Sequence, residues 1–533
     1  MNKFWKPFRV IVSLGVLIAV IMIFLDFRQN FSTIWYQSIT WLQFIPSLRK
    51  FLITAGFLTS GFIVVLLFTL LFGRVYCSFI CPFGILQDII SYISKKFRKK
   101  KFRYKYAAPK NMFRYGFLAL AIIPIFFGYF VIVGLLDPYS NFGRIISDMG
   151  QPLYMGINNF FAGILIKMKV YAMSPEKIPL INYTAIIYPV FMLGLIIVLA
   201  RKWGRLYCNT VCPVGTILGL LSKVSIFKIK IDSLSCTKCA KCAVSCKSQC
   251  INLKTLTVDS SRCVGCFNCM NSCEHSSIGY RFSWDKKTEF KVVRPKNELR
   301  KQESNHQEAI SKRQFITNSV ALVGAMSGIS MAAKADELKS DKGLLPAVKD
   351  HPCAPPGSIS LKHFHNACTA CHLCVSACPN RVLRPSLLEY GLEGFLQPFV
   401  NPSSGYCNFD CLVCGEVCPT GAILPLTVEE KHLTQIGIVK FLRENCIVYT
   451  DETLCGACSE HCPTKAVKMV DYKDDLVIPE VVPDICIGCG ACEYACPVMP
   501  NKAIYVNGNA VQQVAKAPEV NQLDDKALEE FPF

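Results

Sequence analysis

Thirty cysteines stand in 533 residues, and 24 of them fall into six groups whose spacing leaves few folds open. Two groups keep the run C-x2-C-x2-C-x3-C-P: Cys368, Cys371, Cys374 and Cys378 before Pro379, and Cys486, Cys489, Cys492 and Cys496 before Pro497. Cys236, Cys239, Cys242, Cys246 and Cys263, Cys266, Cys269, Cys273 keep the spacing without the proline. Two groups are variants: Cys407-x3-Cys411-x2-Cys414-x3-Cys418 and Cys446-x8-Cys455-x2-Cys458-x3-Cys462. Three thiolates two residues apart wrap one face of a [4Fe–4S] cubane, and the fourth reaches the neighbouring cluster in two-cluster ferredoxins. The spacing predicts six [4Fe–4S] clusters in a chain built to move electrons.

Competing readings fit less well. Four-cysteine zinc sites show two CxxC pairs with a longer spacer, not three cysteines in arithmetic progression. Disulfide frameworks belong to short secreted chains. Cys368-x2-Cys371-His372 has the form of a c-type haem attachment, but both cysteines belong to a complete cluster group. No haem is expected.

Apolar residues make up 52% of the chain and concentrate before residue 201. Phe51–Gly73, Tyr115–Leu136 and Ile178–Ala200 are uncharged runs long enough to span hydrocarbon. Val10–Leu25 is shorter, with Arg9 placed to snorkel and Asp26 at the far interface. Four transmembrane helices are therefore expected. A fifth stretch, Met149–Ile166, carries Asn158 and Asn159 at its centre and reads as a surface helix. Basic residues follow the second span (Lys95 to Arg103) and the fourth (Arg201, Lys202, Arg205), which puts those ends in the cytoplasm. The net charge of +20 thus reads largely as a marker of orientation, not of nucleic-acid binding.

Residues 285–312 read as a charged linker, and 313–335 as a twin-arginine-like export signal or anchor helix, with Lys312-Arg313 at its start and Ala333-Lys334-Ala335 at its end. The expected division is an α-helical membrane domain at 1–230, a cytoplasmic two-cluster domain at 231–284 and a periplasmic four-cluster domain at 336–533. The cluster domains are expected to be α+β and ferredoxin-like.

Outside the cluster groups the chain repeats itself. Gly73-Arg74-Val75-Tyr76-Cys77 to Cys81-Pro82-Phe83-Gly84 matches Gly204-Arg205-Leu206-Tyr207-Cys208 to Cys212-Pro213-Val214-Gly215, with seven of twelve positions identical. Cysteines at i and i+4 share a helix face, so Cys77, Cys81, Cys208 and Cys212 are candidates for a redox or quinol-proximal role. Thiol–disulfide cycling, metal binding, a quinol pocket and plain helix-end packing all stay open. Asp26 and Asp137, at the outer ends of the first and third spans, are most simply solvated at the interface. None of the eight histidines lies in a span, so a cytochrome b-like haem site is not expected. Cys250 and Cys353 are left over.

Residues 1–284 resemble the NapH family of membrane ferredoxins, with four helices, two CxxxCP motifs and a two-cluster domain. Residues 311–510 are similar to the exported four-cluster NapG and MauM ferredoxins, through the signal, Ala354-Pro355-Pro356-Gly357 and all four cysteine groups. Lys312, Cys353 and the missing prolines after Cys246 and Cys273 depart from that pattern. The resemblance implies a fusion in the bacterial inner membrane that passes electrons from the quinol pool to a periplasmic reductase or small carrier. In that family the acceptor is often nitrate reductase. Such a chain is an electron-transfer component of a quinol dehydrogenase, not a stand-alone enzyme. A copper-reducing assembly factor and a non-catalytic docking subunit are the alternatives. By analogy with four-cluster ferredoxins, the 368 and 486 groups are expected to exchange fourth ligands, and the 407 and 446 groups likewise. Cys246 is expected to cross to the second cluster of its own pair and Cys273 to the first.

Overall fold

The computed structural model describes residues 4–26, 28–54, 56, 59–97, 104–176, 178, 183–283 and 344–517. The linker at 285–312, the signal or anchor segment at 313–335 and a cleavage point after Ala335 lie outside them.

The first part of the chain is helical. Two helices, Trp5–Leu25 and Ala185–Trp203, are long and apolar enough to cross a membrane. The other two runs are not single helices. The segment 51–73 is shared between Phe44–Thr54 and Gly61–Phe72. The segment 115–136 is shared between Asn111–Phe126, which contains Pro124, and Val131–Leu136. Proline removes a backbone donor and Gly128 takes a φ of +82°, so the chain breaks there. An apolar run reads the same whether its helix is continuous or broken, and that is why four unbroken helices were expected.

Helix Gln151–Lys167 occupies the fifth stretch. It turns Gln151, Met155, Asn158 and Ala162 inward and leaves Leu153 and Phe160 exposed. Its asparagines are satisfied within the protein: Asn158 donates to the Ser174 carbonyl (3.0 Å) and Asn159 to that of Glu176 (2.7 Å).

Helix Trp5–Leu25 measures the molecule. Its 21 residues rise about 30 Å, the thickness of a hydrocarbon core. At one end the Trp5 ring lies 5.7 Å from that of Phe267. At the other, Phe24 touches Tyr139 and Gln29 donates to the Ala377 carbonyl (3.4 Å). The two cysteine-rich parts therefore sit at opposite ends of the helical region.

Among the described residues the sheets are five antiparallel pairs. Phe227–Ile231 pairs with Ile278–Phe282 around a small inner pair, Ile251–Asn252 with Thr257–Val258. Thr434–Phe441 pairs with Ile504–Val514 around the hairpin Val467–Lys473/Leu476–Val481. In both, an outer strand pair closes a unit that holds two cysteine groups. The fifth pair, Leu383–Pro385 with Pro398–Val400, lies between the 368 and 407 groups.

Three charged residues stand where solvent or lipid headgroups were expected to hold them, and each is buried. Arg9 is 5% exposed and ion-paired with Asp88 (2.7 Å), so it does not snorkel. Asp26 and Asp137, 5% and 1% exposed, are not solvated at an interface. Asp26 accepts from the Asn30 and Phe31 amides (both 2.9 Å) and from Tyr36 Oη (2.9 Å). Asp137 caps helix Pro138–Ile145 by accepting from Ser140 N (2.9 Å) and Oγ (2.6 Å). A single acidic residue at the end of an apolar run does not reveal that the next turn folds back over it.

Candidate metal centres

The 24 grouped cysteines gather as six thiol quartets, three from one group and one from its sequence neighbour. Cys236, Cys239, Cys242 and Cys273 line one cavity. Cys246 joins Cys263, Cys266 and Cys269. Cys368, Cys371 and Cys374 line a cavity with Cys418, and Cys407, Cys411 and Cys414 line one with Cys378. Cys446, Cys455 and Cys458 surround a cavity with Cys496, while Cys462 joins Cys486, Cys489 and Cys492. The exchange expected between the 368 and 486 groups, and between the 407 and 446 groups, is thus corrected: the partners are 368 with 407 and 446 with 486. The physical reason is local. The hairpins at 383–400 and 467–481 fold the chain back between consecutive groups, so each fourth cysteine crosses within its own module.

The loops explain how the quartets form. In all four regular groups the residue before the second cysteine and the residue after it are left-handed: Lys238 and Ala240, Gly265 and Phe267, Ala370 and His372, Gly488 and Gly490. Alternating right- and left-handed residues turn successive amides to one side, a cradle for anions. The Ala370 amide, for instance, donates to Cys368 Sγ (3.3 Å). These donors fit the sulfurs of a cubane. Burial pushes the Cys371 and Cys489 thiols up to about 12.

The quartets follow one another in a line. The Cys407 amide donates to the Cys489 carbonyl (2.9 Å), which joins the two modules of the C-terminal part. The Cys368–Cys418 quartet faces the helical region. Arg144 donates to the carbonyls of Thr369 (3.0 Å) and Ala370 (2.8 Å), and Gln151 to that of Ser376 (2.8 Å). Gly143 lies so close to the Cys371 carbonyl that a Cβ would come within 2.4 Å of it. His372, the decoy haem ligand, is buried with Nδ1 2.9 Å from Asp148 and Nε2 2.9 Å from the Leu396 carbonyl. Both ring nitrogens are engaged, so neither is free for a haem iron. At the other end, Ser78 donates to the Val264 carbonyl (2.7 Å), which sets the Cys246–Cys263 quartet against the first CxxxCP motif.

The two motifs form a reciprocal pair between these ends. Gly73 and Gly204 take φ values of +72° and +68°, a turn that brings the next arginine inward. Arg74 donates to the Cys208 carbonyl (2.9 Å) and Arg205 to the Cys77 carbonyl (2.6 Å), each motif holding the other. Cys81 and Cys212 precede helices Pro82–Lys96 and Pro213–Ser222. Cys77, Cys81, Cys208 and Cys212 are all buried, and each lies within electrostatic reach of the other three. Burial and the neighbouring thiols push Cys81 and Cys212 well above the usual thiol range. Asp88 balances Arg205 (2.9 Å), Arg9 (2.7 Å) and Lys247 (3.2 Å). Burial alone would raise its carboxyl, but the three cations hold it well below the usual range.

Sequence reasoning missed Arg74, Arg205 and Asp88 as parts of this centre, although both arginines stood in the repeat. Cys250, left over in the sequence, is buried with Sγ 3.6 Å from Cys246 Sγ. Hydrogen bonds to Cys246 and Cys263 keep its own proton on, and they pull Cys246 down to about 7. Cys353 joins none of the quartets and bridges to Val400.

A family described as a 4Fe-4S binding domain matches residues 54–101 and again 184–232. Two families of 4Fe-4S dicluster domains match 367–423 and 453–499. Those two matches divide the C-terminal part between the same consecutive modules. Methylamine utilization ferredoxin-type protein MauM of Methylorubrum extorquens is 34% identical over 206 residues, 37% of this chain and 88% of that protein. Ferredoxin-type protein NapG of Escherichia coli is 28% identical over 204 residues, 37% of this chain and 84% of its own length. Ferredoxin-type protein NapF of the same organism is 28% identical over 155 residues, 29% and 86% of the two chains. No solved structure matches.

Proposed function

This chain belongs to the MauM/NapG family of ferredoxin-type iron–sulfur electron-transfer proteins, and from that premise we propose that it carries electrons across the inner membrane from quinol to an acceptor outside the cytoplasm. Its N-terminal part acts as a NapH-like membrane domain of four hydrophobic segments, fused to the exported ferredoxin. A nitrate reductase-type enzyme, or a small carrier serving one, is the acceptor.

The observation that carries this reading is the order of the thiol quartets. Two lie at one end of a helical region and four at the other, and helix Trp5–Leu25 spans the distance between them. Large apolar side chains on the helices, among them Ile11, Ile18, Phe160, Ile187 and Phe191, face outward, as lipid contact requires.

The 24 grouped cysteines would hold six [4Fe–4S] clusters, groups that exchange one electron at a time. Quinol gives two, so the line splits the pair and passes its members singly. The chain's own residues set the spacing and tune each potential through amide donors, burial and nearby charge. Arg144 and the His372–Asp148 pair hold the first exported quartet against the helices.

The test is reduction of the cluster EPR signals in membranes by a quinol analogue. Quinol should reduce part of the signal that dithionite reduces in full. If dithionite reduces every cluster and quinol none, the reading fails.

A further inference from the structure

The CxxxCP thiols carry a charge problem that the six quartets do not solve. Arg74 is 1% exposed, and among the described residues it has no carboxylate partner. Its guanidinium donates to Asn209 Oδ1 (2.8 Å) and to the carbonyls of Ser261 (2.9 Å) and Cys208 (2.9 Å), with Cys77 Sγ at 3.8 Å. Its Nε, and Nη2 of Arg205, are buried without a partner. Arg114, also buried, reaches the same Ser261 carbonyl (3.1 Å) and adds a second cation. A buried cation without an opposite charge is costly. The region therefore calls for an anion, and the groups at hand are four thiols.

Polar donors reach two of those thiols. Gln87 Nε2 donates to Cys208 Sγ (3.2 Å) and the Gly215 amide to Cys212 Sγ (3.3 Å). Cys81 and Cys212 each sit at a helix N-terminus, where the macrodipole favours negative charge. Four sulfurs beside two or three arginines are a donor set that suits a soft metal group, which would hold them as thiolates. Each segment matched by the 4Fe-4S binding family, 54–101 and 184–232, holds only two cysteines, so neither can hold a cubane alone.

We infer that Cys77, Cys81, Cys208 and Cys212 together bind a seventh iron–sulfur group, shared between the two repeats and compensated by Arg74 and Arg205. It stands where the line of quartets is otherwise broken. The Cys246–Cys263 quartet adjoins it through Ser78 and Val264. On the other side Phe83 packs on Tyr207 (5.1 Å), whose hydroxyl donates to Leu136 next to Asp137 and Tyr139. Held there, such a group would exchange single electrons with its neighbours, one oxidised as the other is reduced, with no bond or proton changed.

The inference deepens the electron-transfer reading, but its readout is metal content, so the two can fail separately. Iron and acid-labile sulfide are counted on anaerobically purified full-length protein. Seven cubanes give about 28 iron atoms per chain, against about 24 without the shared group. In the variant Cys77→Ser/Cys208→Ser, iron should fall by about four atoms while the other cluster signals persist. Where that variant does not accumulate, the wild-type count and peptide mapping under non-reducing conditions decide. An iron count that fits six clusters, a disulfide among the four cysteines, or unchanged iron in the variant overturns the inference.

Discussion

The two CxxxCP repeats share a frame and differ in charge. Both place a left-handed glycine before an arginine, both aim that arginine at the other's cysteine carbonyl, and both start a helix at Cys-Pro. Seven residues past the second cysteine they diverge. The first repeat has Asp88, which pairs with Arg205, Arg9 and Lys247. The second has Gly219, whose missing Cβ leaves room for Arg114: a side chain there would meet the Arg114 guanidinium at 1.9 Å and the Ser261 carbonyl at 2.6 Å. One arginine of the pair is thus neutralised by the protein and the other is not. The repeats build a symmetric cage around four thiols, and their one difference in charge leaves it electropositive on the Arg74 side. A plain packing motif gives no reason for that difference.

Removing Asp88 should produce the largest effect. Asp88→Ala leaves Arg9, Arg205 and Lys247 buried together without their carboxylate, and breaking a buried ion pair in this way costs about 3–5 kcal/mol. The temperature of thermal inactivation in detergent should fall accordingly, with loss of the Cys246–Cys263 cluster signal ahead of those of the C-terminal part. The pH dependence has a definite sign. The folded state holds Asp88 below its unfolded value, so its contribution is complete above the ordinary aspartate range and is lost only as pH falls below it. A stability that declined between pH 8 and pH 6 through this site would contradict the pairing.

The next effect tests the symmetry itself. A Cβ on Gly84 would stand 2.3 Å from the Cys77 carbonyl, and one on Gly215 would stand 2.2 Å from the Cys208 carbonyl. Gly84→Ala and Gly215→Ala should therefore each destabilise by about 1–3 kcal/mol, the range for overpacking a close contact. Equal losses in the melting of the two variants support one reciprocal cage. A loss for one and none for the other would mean that the repeats are not equivalent.

The comparison also marks how far the sequence could be read. The cysteine groups were legible because cluster loops depend on spacing, and spacing is a property of the chain in order. The repeat was legible for the same reason. Which group lends its fourth cysteine to which was not, since that depends on where the hairpins at 383–400 and 467–481 turn the chain back. The continuity of the helices at 51–73 and 115–136 was hidden because an apolar run carries no mark of a break beyond Pro124 and Gly128. Arg9 and Arg205 were read as signs of orientation, and Arg74 only as part of the repeat. A basic residue beside an apolar run looks the same whether it meets headgroups or a distant Asp88, 79 positions away from Arg9.

The smallest effect lies one helical turn away, where the repeats again differ in a single pair of positions. Ser78 of the first repeat donates to the Val264 carbonyl (2.7 Å), whereas its counterpart Asn209 accepts from Arg74 Nη1 (2.8 Å). The first repeat therefore touches the Cys246–Cys263 quartet directly, while the second reaches that domain through the arginine and the Ser261 carbonyl. Ser78→Ala removes one buried hydrogen bond and should cost about 1 kcal/mol. The loss should be confined to the join, so hydrogen exchange of the amides near 261–266 should quicken while those of the C-terminal modules stay as they were. Asn209→Ala should cost more than Ser78→Ala, because it strips a partner from a buried guanidinium that has no carboxylate to fall back on. Should Ser78→Ala prove the more damaging of the two, the charge asymmetry between the repeats is not what organises this centre.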